Sequence, residues 1–343
     1  MIEDKELQNY FISILTKGMQ NNTYKYALAR FLLDYSNNLG SDYIEKKMIN
    51  NEIEVVSFQE IANSFLKYYW HQECRYRIRQ NYEVKKPPSA IKEIRKVFGE
   101  KYIPKYFEDM RQEKIEKAQN EIKKSVFGKG DKSQVVPRFQ KLPRQPERRI
   151  FYEYAIKDAT QLEIKPEALS FFHRHYVGLI NSVFLEWSKF LEKINTNLPM
   201  LIAKVEKEES KRSSLLRFKG NKGIFHKFRN CFYCNTSLDE PVTHVDHFIP
   251  WSYIFQNEPW NLVLACRECN LKKSDFLAIN PADVDQKSYW CDELIKRNRD
   301  YKKDIPELGK SLRKLDAGKG WDIEINHHYR NCREYGFNVK NLP

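Results

Sequence analysis

Apolar positions recur every three or four residues through most of this chain, so helices dominate the expectation. Residues 23–35 set Ala27, Leu28, Phe31, Leu32 and Tyr35 on one stripe, with Asn22 or Thr23 placed to cap it. After Pro166 a longer stripe runs through Leu169, Phe172, Tyr176, Val177, Ile180, Val183, Phe184, Trp187, Leu191 and Ile194. Its spacing of about 3.6 residues predicts one principal core helix opened by the proline. His173 and His175 lie on or beside its core face and, lacking a cysteine or carboxylate at ligand spacing, read as ordinary helix histidines. Pro199 starts another helical segment that ends in the charged run 204–212, and breaks at Asn280-Pro281 and Gly318-Lys319-Gly320 divide the tail into short helices.

Between these patterns, residues 127–149 hold two glycines, three prolines and seven basic residues without either periodicity, as a basic linker or loop would. The expected organisation is a helical amino-terminal domain at 1–126, that linker at 127–149, a helical region at 150–212, a small α+β module at 213–280 and a helical tail at 281–343. The fold class is mainly α with one small α+β module. Residues 68–79 mix Tyr68, Tyr69 and Trp70 with Arg75, Arg77 and Arg79. Rings and guanidinium groups laid along a nucleic-acid strand are one reading; rings packed inward with arginines in water are the other.

Composition adds size and charge. A chain of 343 residues, 41% hydrophobic and 14% aromatic, can bury a sizeable core in two or three folded units. The net charge of +13 is concentrated in 67–101, 120–150 and 204–230, each at +6. Localised positive charge suits a polyanion, whose neutralised phosphates release counterions; solvated helix faces are the plainer explanation of any one stretch. The opening Met1-Ile-Glu-Asp-Lys-Glu-Leu-Gln lacks a basic start and an apolar core, and no run approaches the ~18 apolar residues of a membrane span. A cytoplasmic location is expected. Of seven cysteines, four sit in paired knuckles and Cys74, Cys291 and Cys332 are scattered, which argues against a disulfide framework.

The knuckles carry the chemistry. Cys231-Phe-Tyr-Cys234 and Cys266-Arg-Glu-Cys269 each suit gripping one zinc from two sides, and the 31 residues between them have room for a β-hairpin bearing Asp246-His247. Asn261 and Asn270-Leu-Lys-Lys-Ser-Asp275 follow in order. This window, residues 231–275, resembles the HNH nuclease family, and the phrasing around Val245-Asp-His-Phe-Ile-Pro and Trp260-Asn-Leu-Val-Leu resembles HNH proteins of bacterial restriction or anti-phage systems. The resemblance implies a ββα-metal fold that cuts DNA, with a structural zinc on the four cysteines and a catalytic Mg²⁺ or Mn²⁺. It assigns Asp246 and Asn270 as ligands of that second ion, His247 as general base and Asn261 as the asparagine that steadies the loop.

Those assignments make chemical sense. A four-thiolate shell is closed and offers no open position to substrate, so catalysis needs a second ion. Histidine can take a proton near neutral pH, and a hard cation with oxygen ligands stabilises charge on phosphorus and the leaving oxygen. Lys273, one turn after Asn270, is a candidate phosphate contact. Neighbours in a regular strand point to opposite faces, so β structure has to become irregular or end at His247, with Pro250 three residues on; His244 would then share a face with Asp246 as an auxiliary candidate. Asp109, Glu121 and Lys123 mimic the pattern of another nuclease class but sit in a charge-rich helical stretch without β-branched strands. An RNA-cutting effector, or a zinc-held module that binds without cutting, remain alternatives, and a homodimer or a defence-system protein is the expected kind of partner.

Overall fold

A computed structural model describes the chain apart from residues 1–2, 19–21, 83–85, 100–106, 128–134, 143–148, 155–159, 207–213, 221, 240–242, 282, 284–287 and 343. It divides into two compact units: Met1–Thr196 with Leu201–Glu208, and Asn197–Met200 with Glu209–Pro343. Among the described residues no helix is long and apolar enough to cross a membrane.

The first unit is mainly helical. Its helices are α1 (Asp4–Lys17), α2 (Tyr24–Asn38), α3 (Ser41–Asn50), α4 (Phe58–Trp70), α5 (Ser89–Phe98), α6 (Gln112–Ile122), α7 (Val135–Phe139), α8 (Pro166–Arg174), α9 (Tyr176–Glu192) and α10 (Leu201–Glu206). Strands β1 (Glu54–Ser57), β2 (Tyr152–Glu153) and β3 (Gln161–Ile164) form a small antiparallel sheet with β3 central. These strands are too short to leave a period in the sequence. At the β1–α4 junction the Ser57 side chain accepts from the Glu60 amide while the Glu60 carboxylate accepts from the Ser57 amide, closing a capping box. Helix α2 buries more than its predicted stripe: Tyr26, Ala29 and Leu33 are buried together with Ala27, Leu28, Phe31 and Leu32. It is a central helix, with Tyr26 stacked on Trp187 of α9.

Two expectations change here, and the inward-packing alternative for residues 68–79 is selected. The stripe after Pro166 is two helices, because the backbone leaves helical geometry at His175 (φ −105°, ψ 15°). The break rotates the second face, so Val177 is 71% exposed while Ile180, Val183, Trp187 and Leu191 are buried. In residues 68–79 the chain turns through a π-helix at His71–Arg75, and Tyr68, Tyr69, Trp70 and even Arg75 are buried. Those rings are core, and no strand of nucleic acid can lie along them. The stretch read as a linker contains α7, whose Val136 and Phe139 are buried; its Pro137 sits in the first turn, where a missing N–H breaks no helical bond. Gln140 then ties this segment to the Phe151 amide and the Tyr152 carbonyl. Residues 128–134 and 143–148 of that stretch lie outside the described residues.

The second unit contains β4 (Thr243–His247), α11 (Trp251–Ile254), β5 (Leu262–Cys266), α12 (Arg267–Lys273), β6 (Leu277–Ile279), α13 (Tyr289–Tyr301), α14 (Pro306–Leu315), α15 (Trp321–Glu334) and β7 (Val339–Asn341). Strands β4 and β5 pair antiparallel with Asp246 opposite Val263 and His247 opposite Leu262. The tail is more than short helices, because β7 returns to pair in parallel with β6. Gly318 and Gly320 turn the chain between α14 and α15 at φ 89° and 103°, values that L side chains resist.

These tail helices brace the loop that enters β5. The Arg297 guanidinium of α13 donates to the Leu262 carbonyl at 2.9 Å, and Asn298 donates to the Trp260 carbonyl at 3.0 Å. The Ser311 hydroxyl of α14 donates to Glu258 at 2.8 Å. Tyr329 of α15 donates to the Ala278 carbonyl of β6 at 2.7 Å. The first three bonds satisfy backbone or carboxylate groups at the entry to β5, and the fourth satisfies a carbonyl of β6.

Candidate metal centre

The first knuckle is a tight turn. The Cys231 amide donates to the Thr236 carbonyl at 2.8 Å and the Asn235 amide to the Cys231 carbonyl at 2.9 Å, with Asn235 itself at φ 59°. Asparagine tolerates that conformation better than most residues. The Phe232 amide donates to the Leu264 carbonyl at 2.9 Å, tethering the knuckle to β5. The second knuckle grows out of the hairpin: Cys266 closes β5, and its sulfur accepts from the Cys269 amide as the N-cap of α12.

All four sulfurs lie within 4.8 Å of one another, and Cys234 and Cys266 are 3.8 Å apart. A tetrahedron with Zn–S bonds of about 2.3 Å has edges of about 3.8 Å, so the cluster fits zinc. Its protonation is uneven. Burial, followed by the neighbouring sulfurs, pushes the Cys269 thiol up. Burial opposes ionisation of Cys234 too, yet hydrogen bonds from Thr236 outweigh it and bring that thiol down to about 7. Zinc bound here would displace the remaining protons and offset the repulsion among the thiolates.

The hairpin and α12 then bring the Asp-His pair under the helix. Strand β4 pairs regularly as far as His247 and ends there, so Asp246 and His247 reach different partners. The Asp246 carboxylate is buried; its Oδ2 accepts from the Tyr233 hydroxyl at 2.7 Å and lies 3.1 Å from Lys273 Nζ. His247, also buried, directs Nε2 to Asn257 Oδ1 at 2.8 Å. Asn261 is wholly buried and clamps the turn after β4: Oδ1 accepts from the Ile249 amide at 2.8 Å, and Nδ2 donates to the Ile249 carbonyl at 2.9 Å. Asn270 is partly exposed on α12, directly after Cys269, and its carbonyl accepts from the Ser274 amide. His244 is half-buried on β4 opposite Ala265.

Lys273 differs from its expected place. It has no exposed surface, and its ammonium donates to the His247 carbonyl at 2.7 Å while pairing with Asp246. Reaching a phosphate in solvent would break both contacts, so the side chain serves the strand end. Two further residues join the centre that sequence reasoning passed over. Tyr233 stands between two cysteines, where a ring reads as packing; burial, then the charge of Asp246, holds its phenol well above its usual range and keeps it a donor. Asn257 lies ten residues beyond His247 in an irregular loop, where no periodicity points to it.

The donor set suits an oxygen-liganded divalent cation. Asp246 on β4 carries a carboxylate and Asn270 on α12 an amide, both hard oxygen donors of the kind magnesium or manganese prefers. Exposed Lys222, Lys227, Arg229, Arg267 and Lys272 belong to the same unit and supply positive charge for a polyanion.

Residues 231–279 match a family model described as HNH endonuclease. No curated protein and no solved structure matches the chain. The segment is an HNH endonuclease domain with a four-cysteine cluster compatible with zinc, which implies nuclease activity on nucleic acid.

Proposed function

We propose that this protein is a divalent-metal-dependent endonuclease that hydrolyses DNA phosphodiester bonds. One observation carries the reading: within a segment matching HNH endonucleases, Asp246 and His247 end a strand directly against the helix that bears Asn270, with Lys273 of that helix bonded to both of them. A structural zinc on Cys231, Cys234, Cys266 and Cys269 closes the module. Asp246 and Asn270 hold Mg²⁺ or Mn²⁺, which supplies Lewis-acid stabilisation of the phosphate charge.

The remaining work belongs to the side chains. In the tautomer that donates Nε2–H to Asn257 Oδ1, Nδ1 is the basic nitrogen of His247, the one to take the proton of the attacking water. Asn261 holds the backbone that positions this ring. Lys273 neutralises part of the carboxylate charge at the strand end, and exposed lysines and arginines of the unit attract the polyanion. His244 has the place of an auxiliary contact on the same strand.

The extended phrasing around Asp246-His247 supports a setting in restriction or anti-phage defence. The deciding experiment offers modified and unmodified phage or plasmid DNA, and matched RNA, to zinc-loaded protein with Mg²⁺ or Mn²⁺. DNA cleavage lost in His247→Ala is expected. Activity unchanged by that substitution, cleavage of RNA alone, or salt-sensitive binding without cleavage under any divalent metal would each overturn the reading. A defence role predicts fewer phage plaques on cells carrying the wild-type protein than on cells carrying His247→Ala.

A further inference from the structure

A hydrogen bond joins the first cysteine knuckle to Asp246. Tyr233 is one residue from Cys234 and two from Cys231, so its backbone position is set by the knuckle. Its ring is clamped edge-on against Phe232 and Trp290, at 5.2 and 5.3 Å between centroids. From there the hydroxyl reaches 2.7 Å to Asp246 Oδ2, and both residues are buried. Oδ2 also takes the closer approach of Lys273, at 3.1 Å, whereas Oδ1 has the ammonium only at 3.5 Å. Two donors on Oδ2 restrict rotation of the carboxylate, and Oδ1 is the oxygen less engaged by the ammonium.

We propose that Tyr233 is a positioning residue that fixes Asp246 as a one-oxygen ligand and thereby couples the divalent-cation site to the thiolate site. The inference rests on the reading of Asp246 as a cation ligand given above. Its physical basis is preorganisation: a carboxylate already held in one orientation loses less freedom on binding an ion, and hydrogen-bond partners of metal ligands commonly change affinity by about 10- to 100-fold. Coupling of this kind is reciprocal, so an ion at one site must tighten the other by the same factor.

Mn²⁺ binding to the full-length, zinc-loaded protein, followed by the loss of the free-ion electron paramagnetic resonance signal, tests this without reference to cleavage. Wild type is expected to show a site that Asp246→Asn removes, and Tyr233→Phe is expected to weaken that site about tenfold. Zinc content and the cobalt–thiolate absorption of Tyr233→Phe should match wild type, since the ring keeps its packing. Mn²⁺ affinity within twofold of wild type in Tyr233→Phe, alongside loss in Asp246→Asn, overturns the role of Tyr233 and leaves the cation site standing. Equal binding by wild type and Asp246→Asn, or no binding by wild type, removes the cation site and the inference with it. In wild type alone, a zinc-selective chelator should extract zinc less readily when Mg²⁺ is saturating; identical extraction overturns the coupling even if Tyr233→Phe fails to fold.

Discussion

Lys273 Nζ lies 3.1 Å from Asp246 Oδ2 and 2.7 Å from the His247 carbonyl, and the lysine has no exposed surface. A buried ion pair of this kind makes each partner depend on the other, because removing one leaves an uncompensated charge. Lys273→Met should therefore destabilise the second unit by about 3–5 kcal/mol. Asp246→Asn combined with Lys273→Met should cost less than the two separate losses added together, by roughly 0.5–3 kcal/mol. Denaturant titration of the four proteins measures this, and strict additivity would show that the pair is not energetically coupled.

Asn261 satisfies both backbone groups of Ile249 from a fully buried position. Asn261→Ala strands an amide and a carbonyl away from water, at about 3 kcal/mol in all. The melting temperature should fall, and hydrogen exchange should speed up first at the turn after β4. Unchanged protection there would mean that the clamp is dispensable.

Asn257 orients the His247 ring through Nε2. Asn257→Ala should lower kcat by about 10- to 100-fold, as the loss of an orienting partner commonly does, with little change in KM and no loss of zinc. A change confined to KM would place Asn257 on the substrate side instead.

Zinc removal should unfold the hairpin and α12. The β4–β5 sheet has only two strands, and the first knuckle is tied to it by the shared sulfur cluster, the Phe232–Leu264 bond and the Tyr233–Asp246 bond. After complete chelation, hydrogen exchange should report lost protection across β4 and β5. Native protection retained in zinc-free protein contradicts this account.

The break at His175 also has a simple consequence. Val177 is 71% exposed and Val183 fully buried, although both fall on the same sequence stripe. Val177→Asp should change stability by less than about 0.5 kcal/mol, whereas Val183→Asp should prevent folding of the first unit by burying an unpaired charge. Soluble expression and thermal melts distinguish the two.

Much of this protein is legible from residue order alone, for local reasons. Paired cysteines two apart can meet one ion whatever surrounds them, and Asp246-His247 and Asn261 stand in recognisable sequence relation to those pairs. Helical periodicity is likewise local, so α2 and the two halves of the stripe after Pro166 are visible as apolar spacing. Tertiary structure decided what depends on partners distant in sequence. The ammonium of Lys273 faces inward because a buried carboxylate 27 positions away needs a counter-charge. The rings at 68–70 are core because other helices cover them, and β7 becomes a strand because β6 offers it an edge. Tyr233 and Asn257 acquire their roles in the same way: a hydroxyl or amide carries no directional message in a sequence until folding sets an acceptor or donor 2.7 or 2.8 Å away.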